Sequence, residues 1–237
     1  MADLNQDLYM IGFKVVEIIV YIFCAVTIYR KKKEYILNKT YFISLLGWAV
    51  YIIFDAILFP VGHYESADLI FANLFRDIAV CAGGVLAFGF LFASIIIRYG
   101  EAKAKETKTL LLVVGGYFAF AIPTVIFDTI VREVKDSVPV VHTDFNIPSA
   151  IMIVAQILIY LIAIIQLMSI YRRIDDKSEK RRVLYFILGC LFIAIGVLFF
   201  VLLGLLNLGD IAWLTGPIGH IIWIFAPIFI LIGTRKS

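Results

Sequence analysis

Five side chains capable of acid–base or ion chemistry, Glu17, Asp55, Arg76, Asp77 and His220, lie inside long apolar runs of this sequence. An ionised group in a membrane helix costs about 2.5–3.5 kcal/mol on insertion scales, so such groups turn toward each other or toward water. Their neighbours recur at helical spacing. Trp48, Tyr51, Asp55 and Phe59 share one face, Lys14, Glu17 and Tyr21 a second, and Trp213, Pro217, His220, Trp223 and Pro227 a third. An aromatic wall carrying a few charges is the make-up of a small-ligand pocket between helices. Asn73, Asp128 and Gln156 add polar groups, and nearly all of these fall in the outer half of the spans. The expected site is therefore an outward-facing polar cavity. Asp55, Arg76 and Asp77 stand at its centre, with Glu17, Trp48, Tyr51 and His220 around them.

Plainer readings apply to the same residues. Lys14 and Asp128 stand within about two turns of a span end, from where a long side chain reaches interfacial water. Arg76 has Asp55, Glu17 and Asp77 as candidate partners in a bundle staple. His220 by itself reads first as a hydrogen-bonded contact between helices. None of these readings explains why the polar groups gather on one side.

Several chemistries lack their residues. A retinal protein needs a Schiff-base lysine on its last helix, and that helix has none before Lys236. Haem ligation needs facing histidines, and of His63, His142 and His220 only the last is well inside a span. The histidines do not form a three-ligand zinc set. Asp55 and Asp128 lack the surroundings of an aspartyl intramembrane protease. No catalytic residue, metal or cofactor is expected, and the chain is read as not an enzyme. Cys24, Cys81 and Cys190 all lie in apolar runs and read as small buried hydrophobes.

The elements that must position these groups are clear from composition. Of 237 residues, 62% are hydrophobic and 16% charged, against about one quarter charged in a soluble domain. The apolar residues gather in runs near the ~20 needed to cross a bilayer as helix, and strands of alternating polarity are missing. Spans are expected near 8–29, 41–61, 69–98, 109–131, 148–171, 183–206 and 211–233. The fold class is an all-α seven-transmembrane-helix bundle, a polytopic membrane protein with one domain over residues 1–237. The third run is long enough to tilt and project from the membrane. Pro123, Pro217 and Pro227 fall inside spans and should kink them.

Basic residues set the orientation. Arg30, Lys31, Lys32, Lys33 and Lys39 follow span one, and Arg98, Lys103, Lys105 and Lys108 follow span three. Arg172, Arg173, Lys177, Lys180, Arg181 and Arg182 follow span five, and Arg235 and Lys236 end the sequence. Only Arg132 and Lys135 lie on the other side. The positive-inside rule then puts the N-terminus outside and the C-terminus in the cytoplasm, in a multi-pass protein of the cell membrane. Asp3 and Asp7 leave no cationic start for a cleavable signal. The sequon Asn38-Lys39-Thr40 falls on the cytoplasmic side and is discounted. The net charge of +3 reflects loop bias, and no nucleic-acid partner is expected.

Small residues mark close helix contacts: Ala79, Gly83 and Ala87 on span three, and Gly189, Gly196 and Gly204 on span six. The order of features extends over nearly the whole chain. A short external start precedes the basic loop Tyr29-Arg30-Lys31-Lys32-Lys33 and a span with the single tryptophan Trp48. Span three closes through Phe88–Tyr99, span five ends Tyr171-Arg172-Arg173, and a short hydrophobic span comes last. In this order the chain resembles the seven-helix sensor region at the N-terminus of many prokaryotic histidine kinases and related signalling proteins. The resemblance implies sensing of a ligand or of membrane state. With no kinase, cyclase or phosphatase domain before Ser237, output would pass to a separate partner.

The expected function is thus receptor-like or sensory: a small polar ligand or ion outside, a signalling partner at the basic loops inside. Those loops could instead bind anionic membrane lipids, which attract juxtamembrane bases at about 1 kcal/mol each, and for that patch lipid contact is the preferred reading. A small transporter or ion or proton channel is the alternative, and a structural or assembly subunit the third.

Overall fold

The computed structural model describes residues 2–64, 69–127, 130–135, 138–143, 147–206 and 212–234. In chain order these form α1 (Ala2–Lys31), α2 (Ile36–Tyr64), α3 (Ile70–Ala104), α4 (Thr107–Ile126), β1 (Ile130–Lys135), β2 (Val138–Thr143), α5 (Ile147–Tyr171), α6 (Lys177–Leu205) and α7 (Ala212–Gly233). Six helices contain stretches long and apolar enough to cross a membrane: Tyr9–Lys31, Ile36–Gly62, Ile70–Ala104, Ile153–Tyr171, Lys177–Leu203 and Leu214–Gly233. The apolar stretch of α4, Thr107–Pro123, is shorter.

Each helix packs against its neighbours in sequence, α7 returns to α1, and α3 also meets α5. The result is a closed ring with α3 drawn toward its middle. One apolar core runs through all seven helices, from Tyr21 and Ile28 through Trp48, Phe90, Phe120 and Tyr160 to Ile193, Trp223 and Ile230. The outside is apolar as well. Val15, Ile19 and Phe23 form an exposed stripe on α1, and Ile151, Val154, Leu158, Ile162 and Ile165 form one on α5. Water-soluble monomers rarely show contiguous apolar patches beyond a few hundred square ångströms. A helix apolar on every side belongs in lipid.

The connection between α4 and α5 differs from a plain loop. The expected fourth span, 109–131, stops short: α4 ends at Ile126, and from Ile130 the chain forms an antiparallel hairpin in which Ile130 pairs with Thr143 and Lys135 with Val138. The β-branched content of Ile130-Val131 and Val140-Val141 favours pleated backbone, while Arg132, Glu133 and Lys135 dilute the apolar run below what hydrocarbon accepts. β2 lies against α2 and β1 against α3. Asp128, Arg235 and Lys236 lie outside the described residues, as do the side chains of Phe59, His63, Arg132, Lys135, His142 and Trp213.

α3 is broken at Gly100, whose φ of 85° and ψ of 168° leave the helical region. Glycine takes that conformation at no Cβ cost, and the break separates the membrane-length helix from a final turn. At the same end, the buried Asn38 amide donates to the Ile28 and Lys32 carbonyls at 3.1 and 3.4 Å. It thereby caps the orphan acceptors at the end of α1.

Small residues sit where helices come closest. A Cβ added to Gly47 would lie 2.9 Å from the Ala82 carbonyl oxygen of α3. One on Gly196 would strike the Trp223 indole, and one on Gly189 would fall 2.7 Å from Ile230 of α7. The expected stripes on α3 and α6 are thus contact faces, with Ala79 and Ala87 buried; Gly47 of α2 adds one that the spacing of small residues did not mark. Lacking a side chain, such positions let backbones approach and gain van der Waals contact.

α7 carries Pro227 in its interior. Proline has no N–H, so the carbonyl four residues earlier, that of Trp223, loses its helical partner. The Tyr21 hydroxyl of α1 donates to that oxygen at 3.1 Å. Tyr21→Phe should therefore cost about 1–3 kcal/mol by orphaning a buried carbonyl. In a Pro227→Ala background, where the restored N–H reaches the same oxygen, the penalty should shrink. Unfolding titrations of the four proteins of this cycle check the coupling, and equal penalties in both backgrounds would rule it out.

Candidate functional site

The polar groups meet about 9–12 Å from the ends of the apolar stretches, counting 1.5 Å per residue from Tyr9 to Glu17, from Gly62 back to Asp55, from Ile70 to Arg76 and from Leu214 to His220. Those ends lie opposite the basic turns around 32–35, 105–106 and 172–176. α1, α2, α3 and α7 converge there because all four run side by side.

Glu17 is the centre. Its side chain has 0% exposure. One oxygen, Oε1, accepts from Trp48 Nε1 of α2 at 2.8 Å, and Oε2 lies 2.6 Å from His220 Nδ1 of α7. Both carboxylate oxygens are thus engaged, and three helices are joined at one residue. Buried charge survives only when paired and hydrogen-bonded, and this arrangement meets both conditions if the imidazole carries Nδ1–H. The Phe200, His220 and Trp223 rings stack edge and face beside it, with His220–Trp223 centroids 5.5 Å apart and Phe200–Trp223 4.7 Å apart. Trp48 closes the wall against Tyr51 at 4.6 Å and Trp223 at 5.0 Å.

One turn earlier on α1, Lys14 Nζ reaches Asp55 twice, at 2.9 Å to Oδ2 and 3.0 Å to the main-chain oxygen. Lys14 does not reach outward to an interface. Its side chain is 9% exposed and that of Asp55 17%. Arg76 of α3 lies beside the Tyr51 hydroxyl and within electrostatic reach of Asp55. Its Nε is buried with no hydrogen-bond partner.

The structure therefore brings Glu17, Trp48, Tyr51, Asp55, Arg76 and His220 together, centred on Glu17 rather than on the expected Asp55, Arg76 and Asp77. Asp77, the next residue on α3, lies within electrostatic reach of Cys81 one turn on, where Tyr117 of α4 donates to the Cys81 carbonyl. A rotation of about 100° per helical residue separates two adjacent side chains in this way. Lys14, read in the sequence as reaching for the interface or as one more charge, is a full member of the cluster. Its i, i+3 spacing from Glu17 was the available signal.

Beyond this level the interior polar contacts are few among the described residues. Ser94 of α3 donates to Gln166 of α5 at 3.1 Å. Tyr160 of α5 is fully buried, with its hydroxyl beside the Gln156 side chain of the same helix. The basic end has another character. Lys32 sits over Tyr35, Arg98 over Tyr99, Lys180 over Tyr171 and Arg181 over Tyr185, at 4.8–5.7 Å from the ring centroids. Among the described residues no group of three or more His, Cys, Asp and Glu side chains is placed to hold a metal ion.

No protein-family model matches this chain, and no curated protein matches it.

Removing one partner of a buried ion pair leaves the other charge uncompensated, at about 3–5 kcal/mol. Asp55→Ala and Lys14→Met should each destabilise by that order. The double variant Lys14→Met/Asp55→Leu should recover most of the loss, because an apolar pair carries no desolvation penalty. Arg76→Gln should cost less than either, since no hydrogen bond to Nε is lost. Denaturant unfolding in bicelles checks the order, and a double variant as unstable as the worse single would contradict it.

Proposed function

We propose that the protein is a receptor-like, sensory membrane protein without enzymatic activity. It takes a small polar ligand in the outer half of its bundle and signals through a separate cytoplasmic partner. The single observation supporting this reading is the uneven distribution of interior polar groups. A charged, aromatic-walled cluster occupies one level of α1, α2, α3 and α7, and one of its cations, Arg76, keeps a buried donor atom open. A set of structural staples would close every donor. Asp55, the more exposed partner of its ion pair, marks the side of entry, with Arg76 and Tyr51 beside it. Glu17, Trp48 and His220 form the wall, and Asp77 flanks it on α3.

In this reading the chain crosses the cell membrane seven times, with α4 as the fourth span, the N-terminus outside and the C-terminus inside. The resemblance to seven-helix sensor regions of histidine kinases agrees with that topology. The basic and tyrosine-rich end then faces the cytoplasm, in contact with anionic lipid headgroups and with the partner. Pro227, which frees the Trp223 carbonyl that Tyr21 holds, gives α7 a joint about two turns from His220. A ligand that favours one arrangement of α7 shifts the population of the other.

The Ser94–Gln166 bond is the observation that favours a second reading, a transporter or channel, because it continues polarity toward the basic end.

Two measurements test the proposal. Topology follows from single cysteines probed with a membrane-impermeant maleimide: Phe127→Cys should label in intact cells, and Thr107→Cys and Lys177→Cys only after permeabilisation. Labelling of Thr107→Cys and Phe127→Cys from the same side would reduce the count to six spans. Function follows from thermal shift of the purified protein with small polar metabolites and ions. A ligand that binds only the folded state raises its melting temperature with concentration, and the response should vanish in Arg76→Gln. Solute flux in proteoliposomes without such a shift would favour the transporter.

A further inference from the structure

α6 turns one face outward along most of its length. Leu184, Leu191, Ile195, Leu198 and Leu202 are all exposed, at the spacing of a single stripe. Toward the start of the helix the stripe ends in two bases. Lys177 and Arg181 lie on it, at i−7 and i−3 from Leu184.

Beside the stripe runs a seam of rings shared with α7. Tyr185 stacks on Phe229 at 6.1 Å, and Phe192 meets Phe229 at 5.2 Å and Phe225 at 5.5 Å. Tyr185, Phe192 and Phe229 are half-buried and Phe225 is exposed, so the seam opens to the lipid side. Arg181 stands at its head. Its Nε and one terminal nitrogen both donate to the Tyr185 hydroxyl at 3.3 Å, and the other terminal nitrogen is left for an anion.

The basic end is not uniform. In the turn between α3 and α4, Lys103 and Lys105 are neutralised by Glu106 and Glu101, at 2.7 and 2.5 Å. Among the described residues no acid forms an ion pair with Lys177 or Arg181. Asp176 accepts from the Ser178 N–H at 3.0 Å, and Glu179 sits about 200° round the helix from either base, off the stripe. Two unpaired cations at the head of an open apolar seam match a molecule with an anionic head and a hydrocarbon tail. A soluble acidic partner would use the bases and leave the seam empty. A neutral lipid would use the seam and leave the bases unpaired.

Resting on the contact of the basic end with headgroups drawn above, we propose that one anionic phospholipid binds the α6–α7 seam. Its phosphate lies on Lys177 and Arg181, and one acyl chain runs along Tyr185, Phe192, Phe225 and Phe229. Phe225 and Phe229 stand on either side of Pro227, so the chain lies against the joint of α7 and the protein responds to the anionic lipid content of its own leaflet. No bond is made or broken.

The test uses the whole protein in nanodiscs of phosphatidylcholine with increasing phosphatidylglycerol. Lipid retained after release into neutral detergent is counted by native mass spectrometry. Wild type should keep one phosphatidylglycerol in preference to phosphatidylcholine. Lys177→Gln/Arg181→Gln should weaken that preference about fivefold for each base removed. Lys103→Gln/Lys105→Gln, which removes equal charge from the neutralised turn, should leave it unchanged. An unaltered melting temperature in pure phosphatidylcholine shows that both variants are folded. Glycerol 3-phosphate, a head without tails, should not displace the lipid. No preference for phosphatidylglycerol, or equal losses in the two variants, would overturn the site in favour of diffuse attraction by the basic end. Displacement by glycerol 3-phosphate would overturn it in favour of a soluble phosphate compound. Each of these outcomes leaves the receptor reading standing, because the Arg76-dependent shift with small polar ligands is measured separately in pure phosphatidylcholine.

Discussion

A carboxylate with no access to solvent, Glu17, imposes the condition that the rest of this bundle satisfies. In hydrocarbon no water stands in for a missing partner, so the charge must be met by other helices. Trp48 comes from α2 and His220 from α7, one to each oxygen. This fixes the rotation of α1, α2 and α7 about their own axes. With those rotations set, Lys14 faces Asp55 and Tyr21 faces α7. The exposed apolar stripe Val15, Ile19 and Phe23 is left on the opposite side of α1.

α7 meets the same demand through its backbone. Pro227 frees one carbonyl, Tyr21 takes it, and the Trp223 indole crosses to donate to the Ile193 carbonyl of α6 at 3.3 Å. The crossing needs the missing side chain of Gly196. Trp223 thereby touches α1 through its oxygen, α2 through Trp48 and Tyr51, and α6 through its ring nitrogen and Phe200. Packing and hydrogen bonding to three neighbouring helices are carried by one residue, so a change in α7 is felt on all three.

Against this thorough pairing, the unpartnered Nε of Arg76 stands out. A bundle that recruits Tyr21 for one stray carbonyl and Asn38 for the end of α1 shows how consistently stray groups are met elsewhere. In the receptor reading, the difference between the closed Glu17 centre and the open Arg76 edge is the difference between scaffold and binding surface. Both draw on the same residue types, which is why composition alone did not separate them.

What the sequence by itself determined was the set of helices and their long axes. Apolar run length fixes where a helix crosses, and the 3.6-residue period fixes which side chains share a face. Hence the spans near 41–61, 148–171 and 211–233 lie within or nearly match α2, α5 and α7, and Asp55 does share a face with Trp48 and Tyr51. The hairpin after Ile126 was hidden because an apolar, β-branched run such as Ile126 to Val131 has the same hydropathy as the end of a membrane helix. Only the tertiary structure decided which faces meet. A face has a direction on its own helix but no named neighbour, and each helix is free to rotate and slide until it is packed. That freedom is why Asp55 could be read as the partner of Arg76 and is instead held by Lys14. It is also why Glu17, one charge among several in the sequence, becomes the point where three helices join.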